Sequence, residues 1–195
     1  MKKLQFFIFI CLLSISSTWG QSDLLNSPRV IFFGLDFREA RLVGSSGFTN
    51  PYHIKSEYFD AWNYLMANEK DKYNIKKYFG KQSVEYALSA VQKANQTVDP
   101  EKMVINDPYQ LNTEKIPGLI QSLEIDPSLK GLGLIFIIEY FNKFQERASY
   151  YAVFFDIEKK QVVSVSRRSG KPGGFGLRNY WAGAILDAME KGPVK

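Results

Sequence analysis

The sequence predicts an α/β (α+β) domain: a mixed sheet of four or five strands with helices packed on it. Three observations carry this. Arg29 to Gly34 is a short, continuous apolar run closed by glycine, the pattern of a strand buried on both faces. Apolar residues recur at helical spacing near residues 58–66, 116–123 and 177–188. Three runs in the second half (Leu132 to Phe141, Tyr150 to Ile157, Gln161 to Ser166) are strand-like and joined by short polar turns, which reads as an antiparallel meander.

In chain order, the first 20 residues have the build of a cleavable secretory signal. Lys2 and Lys3 precede an apolar stretch from Leu4 to Ile15, and Thr18-Trp19-Gly20 offers small residues at the cut. The stretch is shorter than the ~20 residues a membrane-spanning helix needs. Cleavage after Gly20 leaves 21–195 as one domain without a transmembrane span and removes Cys11, the only cysteine. The mature chain then has no disulfide or thiolate site and is held by its core. The formal charge of +5 falls to +3 once Lys2 and Lys3 leave. With acids and bases interleaved, no basic stripe of the kind nucleic-acid binding requires is present.

Residues 21–28 read as a disordered lead-in, and the first strand follows. The polar, glycine-rich stretch from Phe37 to Asn50 reads as a long loop. Asn50-Pro51 then supplies a cap and a first-turn proline for a helix running to about Asn68. Residues 84–98 fit a helix over most of their length, although Val84, Tyr86 and Leu88 also alternate as a strand would. Lys102 to Ile105 reads as an edge strand. Thr113 is the expected cap of the next helix, where Pro117 is tolerable because it lies in the first turn. After the meander, Leu177, Trp181, Ala184, Ile185 and Ala188 define a final helix.

The most pointed candidate site is the connection between the last strand and the last helix. Arg168, Lys171, Gly173, Gly174, Arg178 and Asn179 would combine free N–H groups at a helix start with cations, suiting a small anionic ligand or a partner. Yet the spacing is not that of a phosphate-binding P-loop, and three glycines there also serve simply to turn a strand into a helix. A second candidate, Asp36, Arg38, Glu39 and Arg41, reads better as loop charges that pair with one another.

His53 is the lone histidine; no nucleophile elbow surrounds any serine, and with only Glu57 near it no zinc set forms. Glu57 with Asp60, and Asp36 with Glu39, are too close in sequence for carboxylates that must face each other across a cleft. Asp156, just before a turn, is placed to bond turn N–H groups. No catalytic residue, metal or cofactor is assigned. Tyr180-Trp181 and Trp62-Asn63-Tyr64 are where aromatic rings could meet a ligand, although most rings sit at core spacing.

The run Tyr150 to Ile157 and the segment Gly170 to Trp181 resemble a group of uncharacterised exported proteins of Gram-negative bacteria. Their arrangement is similar to the TolB amino-terminal-domain-like envelope accessory proteins, with helices against a mixed sheet. The resemblance implies a binding or assembly role in the envelope and transfers no active-site motif. The lipid-attachment cysteine common among those accessory proteins is missing here. The expectation is therefore an exported, periplasmic or secreted, non-enzymatic module contacting an envelope protein or a small anionic ligand. The alternative is a hydrolase of envelope or dietary polymers using paired carboxylates.

Overall fold

The computed structural model describes residues 23–194, so the signal and its cleavage point lie outside the described residues. The strands are β1 (Arg29–Asp36), β2 (Arg41–Val43), β3 (Ser83–Tyr86), β4 (Val104–Ile105), β5 (Leu132–Asn142), β6 (Arg147–Asp156) and β7 (Gln161–Gly170). The α-helices are a turn at Pro51–His53 that runs through a π-helical turn, Ile54–Tyr58, into α1 (Phe59–Asn68), then α2 (Ile75–Phe79), α3 (Ser89–Asn95), α4 (Ile116–Gln121) and α5 (Gly176–Lys191).

All strands join one mixed sheet of seven, not four or five. β5 is its spine: β6 pairs antiparallel along its whole length, and β7 along β6. On its other edge β5 takes two parallel partners end to end, β1 against Gly133 to Ile137 and β2 against Tyr140 to Asn142. Outside these lie β3, parallel to β1, and β4, parallel to β2. The parallel half is thus two columns, each broken once, whereas the antiparallel half runs unbroken.

Sequence patterns do not reveal β2, and they show β3 only as the alternation at Val84 and Tyr86 that competes with a helix. Three residues are too few to show a period, and β3 merges with the helical spacing of α3 just after it. The lead-in is folded from residue 23. Leu24 packs on the core, and the Lys81 ammonium donates to the Leu25 and Ser27 carbonyls at 2.6 and 2.9 Å. The cap of the helical segment leading into α4 is Asn112, whose side chain accepts from the Glu114 N–H, rather than Thr113. The Asn50 cap does form, its side chain accepting from the His53 N–H at 3.0 Å.

Alternation along the strands divides the core. One face carries Phe32, Leu134, Phe136 and Tyr150 under α1, α2 and α5, with Trp62 and Trp181 among the largest buried residues. The other carries Phe33, Ile135, Val153 and Phe155 under α3 and α4. Burial on both faces explains why β1, β5 and β6 read as continuous apolar runs.

Candidate functional site

The break in the outer column, between the end of β3 and the start of β4, leaves the edge of β1 without a strand partner from Leu35 to Phe37. Two fully engaged asparagines take the missing strand's place. Asn63 on α1 accepts from the Leu35 N–H at 2.7 Å and donates to the Leu35 carbonyl at 3.2 Å. Asn95 on α3 donates to that carbonyl at 2.9 Å and accepts from the Phe37 N–H at 2.7 Å. A carboxamide carries the same donor and acceptor as a peptide unit, so buried backbone groups that would otherwise be orphaned are satisfied. Asn63 fits only because β1 bulges at Gly34, with φ of 103°; a Cβ there would lie 2.2 Å from the asparagine oxygen.

Over this break, between the Pro51–Tyr58 segment and α3, opens a cleft of about 730 Å³. Asn95, which bonds the carboxyl end of β1, lines it, and the space beyond the carboxyl ends of parallel strands is where α/β proteins form ligand crevices. Three polar ties hold its walls together. The Lys55 ammonium donates to the Gln96 and Val98 carbonyls at 2.8 and 2.6 Å. The Gln92 amide donates to Asp60 at 3.0 Å. The Tyr52 hydroxyl donates to Glu101 at 2.5 Å, and that bond raises the phenol's pKa. His53 lies exposed on the rim, with no metal partners: among the described residues no group of three or more His, Cys, Asp or Glu stands close enough to hold an ion.

The two buried carboxylates among the described residues lie elsewhere, each closed by arginine. Asp36 is gripped by Arg38, with the closest contact at 2.6 Å, and Arg38 reaches on to the Leu119 carbonyl and Ser122. Glu139 takes Arg167 at 2.8 Å and the Leu111 N–H at 3.1 Å. The loop charges after β1 therefore do pair, as Glu39 also does with Lys115. Asp156 accepts from the Lys159 N–H at 3.0 Å, the turn bond its position suggests.

The segment predicted as an anion site is strung out along α5. Ser169 and Gly170 belong to β7, and the chain beyond them doubles back beside the helix toward its start. The Lys171 N–H donates to Asp187 at 2.7 Å, while the Gly173 N–H donates to the Tyr180 carbonyl at 3.2 Å. Gly173 lies against Gly183, where a Cβ would come within 2.2 Å of its carbonyl oxygen, and Gly174, with φ of 111°, packs on Asn179.

Arg168 is buried and turned toward the other end of the helix. Its guanidinium donates to the Met189 carbonyl at 3.1 Å and covers the Phe79 ring, so it caps the negative end of the helix dipole. Burial lowers its pKa, and the nearby Tyr150 hydroxyl opposes that shift. At ~1.5 Å rise per residue, Arg178 stands some ~16 Å along the helix from that carbonyl. The cations are therefore not gathered round one pocket. Arg178 bonds only its neighbour Asn179, at 3.3 Å, and its carbonyl accepts from the Trp62 indole at 2.8 Å.

No family model, curated protein or solved structure matches this chain.

The start of α5 does gather something else. It lacks a side-chain cap, and the preceding residue, Phe175, is 95% exposed. Gly176, Leu177, Tyr180 and Trp181 line a hollow of about 220 Å³ together with Lys143 and Gly47 from two other loops. Lys143 is followed by Phe144, itself 63% exposed. The Tyr180 hydroxyl fixes this corner, accepting from Lys143 at 3.3 Å and donating to Glu146 at 3.0 Å. Sequence reasoning marked the loop before α5 but missed its partners, because the loops at residues 44–48 and 143–146 are far from it along the chain.

Proposed function

We propose that this protein is an exported, non-enzymatic binding module of the cell envelope, related to the TolB-like accessory proteins, that holds a partner protein at the start of α5. The observation carrying this reading is Phe175, a large apolar ring standing free at the rim of a hollow floored by Leu177 and Trp181. Phe144, which follows Lys143 of the same hollow, is exposed as well. Clustered exposed aromatics mark protein contacts far more often than chance, and a ring beside a hollow supplies both knob and hole. Lys171 and Arg178, which have no carboxylate partner among the described residues, would favour an acidic rim on that partner.

The hydrolase alternative is less well supported. Asp60 is the one carboxylate lining the large cleft, and the buried Asp36 and Glu139 are each engaged by arginine. No helix among the described residues is long and apolar enough to cross a membrane.

The test is site-specific photocrosslinking in living cells. A photoreactive residue at 175 should give an adduct with one envelope protein, weakened strongly by Phe144→Ala, whereas the same group at Lys130, beyond the opposite end of β5, should give none. Equal adducts from both positions, or none from 175, would reject the contact surface. Export is read separately: protein from the extracytoplasmic fraction should begin at Gln21, and recovery from the cytosol with Met1 intact would count against it.

A further inference from the structure

A second site, independent of the α5 surface, is the cleft over the broken column. We infer that it binds a neutral saccharide of one or two sugar units. Its volume of about 730 Å³ falls in the range of small-molecule sites, and its walls are already tied by the Lys55, Asp60 and Tyr52 contacts, so little ordering is left to oppose binding.

The chemistry of the lining selects the ligand class. Lys55 spends two of its protons on the Gln96 and Val98 carbonyls, and Asp60, five residues on in the same wall, carries the compensating charge. A phosphate or carboxylate would find no unspent cation cluster, and an organic cation no aromatic cage. What remains unspent is neutral and two-sided. The Gln96 carboxamide presents donor and acceptor in one plane, Gln92 keeps its carbonyl and the amide proton not given to Asp60, and the second Asp60 oxygen accepts. Adjacent sugar hydroxyls are themselves paired donors and acceptors, so a planar amide or carboxylate can bond both at once. The same ligand also needs a flat apolar surface for the C–H face of its ring. Tyr52 supplies one: it is 58% exposed, and its hydroxyl is fixed to Glu101 at the cleft mouth. A fatty or aromatic ligand would strip water from Asp60 and Lys55 in the wall without returning a hydrogen bond.

Saturation-transfer NMR on the mature chain tests this with maltose, cellobiose, lactose and diacetylchitobiose, alongside glucuronate and inorganic phosphate. At least one neutral disaccharide should receive saturation, and Tyr52→Ala or Gln96→Ala should weaken it by about tenfold or more. The Gln96 side chain is exposed and makes no hydrogen bond among the described residues, so circular dichroism melting of Gln96→Ala should be unchanged and loss of fold is separable from loss of site. The proposal fails if no neutral disaccharide receives saturation, if binding survives both variants, or if glucuronate or phosphate binds more tightly. Photocrosslinking at 175 would be untouched by either variant, so failure here leaves the partner surface to its own test.

Discussion

The antiparallel and parallel halves of the sheet solve the same problem differently. In β5, β6 and β7 the shared ladders run from end to end, interrupted only by a bulge in each pair, and β7 forms the outer edge. In the columns made by β1 with β2 and β3 with β4, the ladder stops and restarts, and the gap is closed by Asn63 and Asn95. The cleft of about 730 Å³ lies over the interrupted half. Small-molecule binding is expected where the regular ladder is interrupted, because side-chain amides there bring polar lining while satisfying the backbone.

The largest expected effect probes the continuous half. A Cβ on Gly170 would stand 2.2 Å from the Ala184 carbonyl oxygen and 2.4 Å from the Ala188 nitrogen, so α5 would have to leave β7. Gly170→Ala should cost at least about 3 kcal/mol in urea unfolding. A cost below 1 kcal/mol would mean that the helix rides loosely on the sheet. Next come the two buried ion pairs. Arg38→Ala leaves Asp36 charged and almost fully enclosed, for about 3–4 kcal/mol. Arg167→Ala should cost less, about 1–2 kcal/mol, since Arg167 is one-third exposed while Arg38 is nearly buried and each carboxylate keeps one backbone N–H. Equal losses would show that exposure is not what separates them.

Asn95→Ala strips the Phe37 N–H of its acceptor and should cost about 2 kcal/mol. Its sharper readout is hydrogen exchange, which should speed up at Phe37 and leave the β5–β6 amides as slow as before. Uniform acceleration across the sheet would contradict local substitution for a strand.

The smallest effect is acid sensitivity at α5. Burial alone would raise the pKa of Asp187, but hydrogen bonds from the Lys191 ammonium and the Lys171 N–H outweigh it and hold the carboxyl below its usual range. A lowered folded-state pKa contributes stability above the unfolded value near ~3.9 that is lost as pH falls through the folded value. Asp187→Asn should therefore flatten the fall in urea midpoint between neutral pH and pH about 3, by under about 1 kcal/mol. An unchanged acid limb would remove Asp187 from the account.

The two halves also differ in how far they could be read from sequence. β5, β6, β7 and α5 are visible as patterns because each is long enough to show its period and is bounded by turn residues. β2 is too short, and β3 is masked by the helix that follows it. The candidate site was visible only in part. The loop before α5 stands out by its glycines, but where its cations point depends on Asp187 and Met189, more than ten residues further on. The cleft joins residues 50–60 to 92–101, a pairing no local pattern encodes. One signal was present: Asn63 has Phe59 and Met66 four before and three after it, and Asn95 has Val91 and Val98. A lone amide within a buried helical stripe needs a buried partner, and here both found the same strand.

That shared strand has a further consequence. An unsealed seam in a sheet would accept any passing polypeptide as a new rung, inviting misassembly in a crowded compartment. Because α1 and α3 plug it with side-chain amides, the seam is shut to foreign backbone yet stays hollow above. The molecule can thus keep an opening for small visitors without offering a template for aggregation.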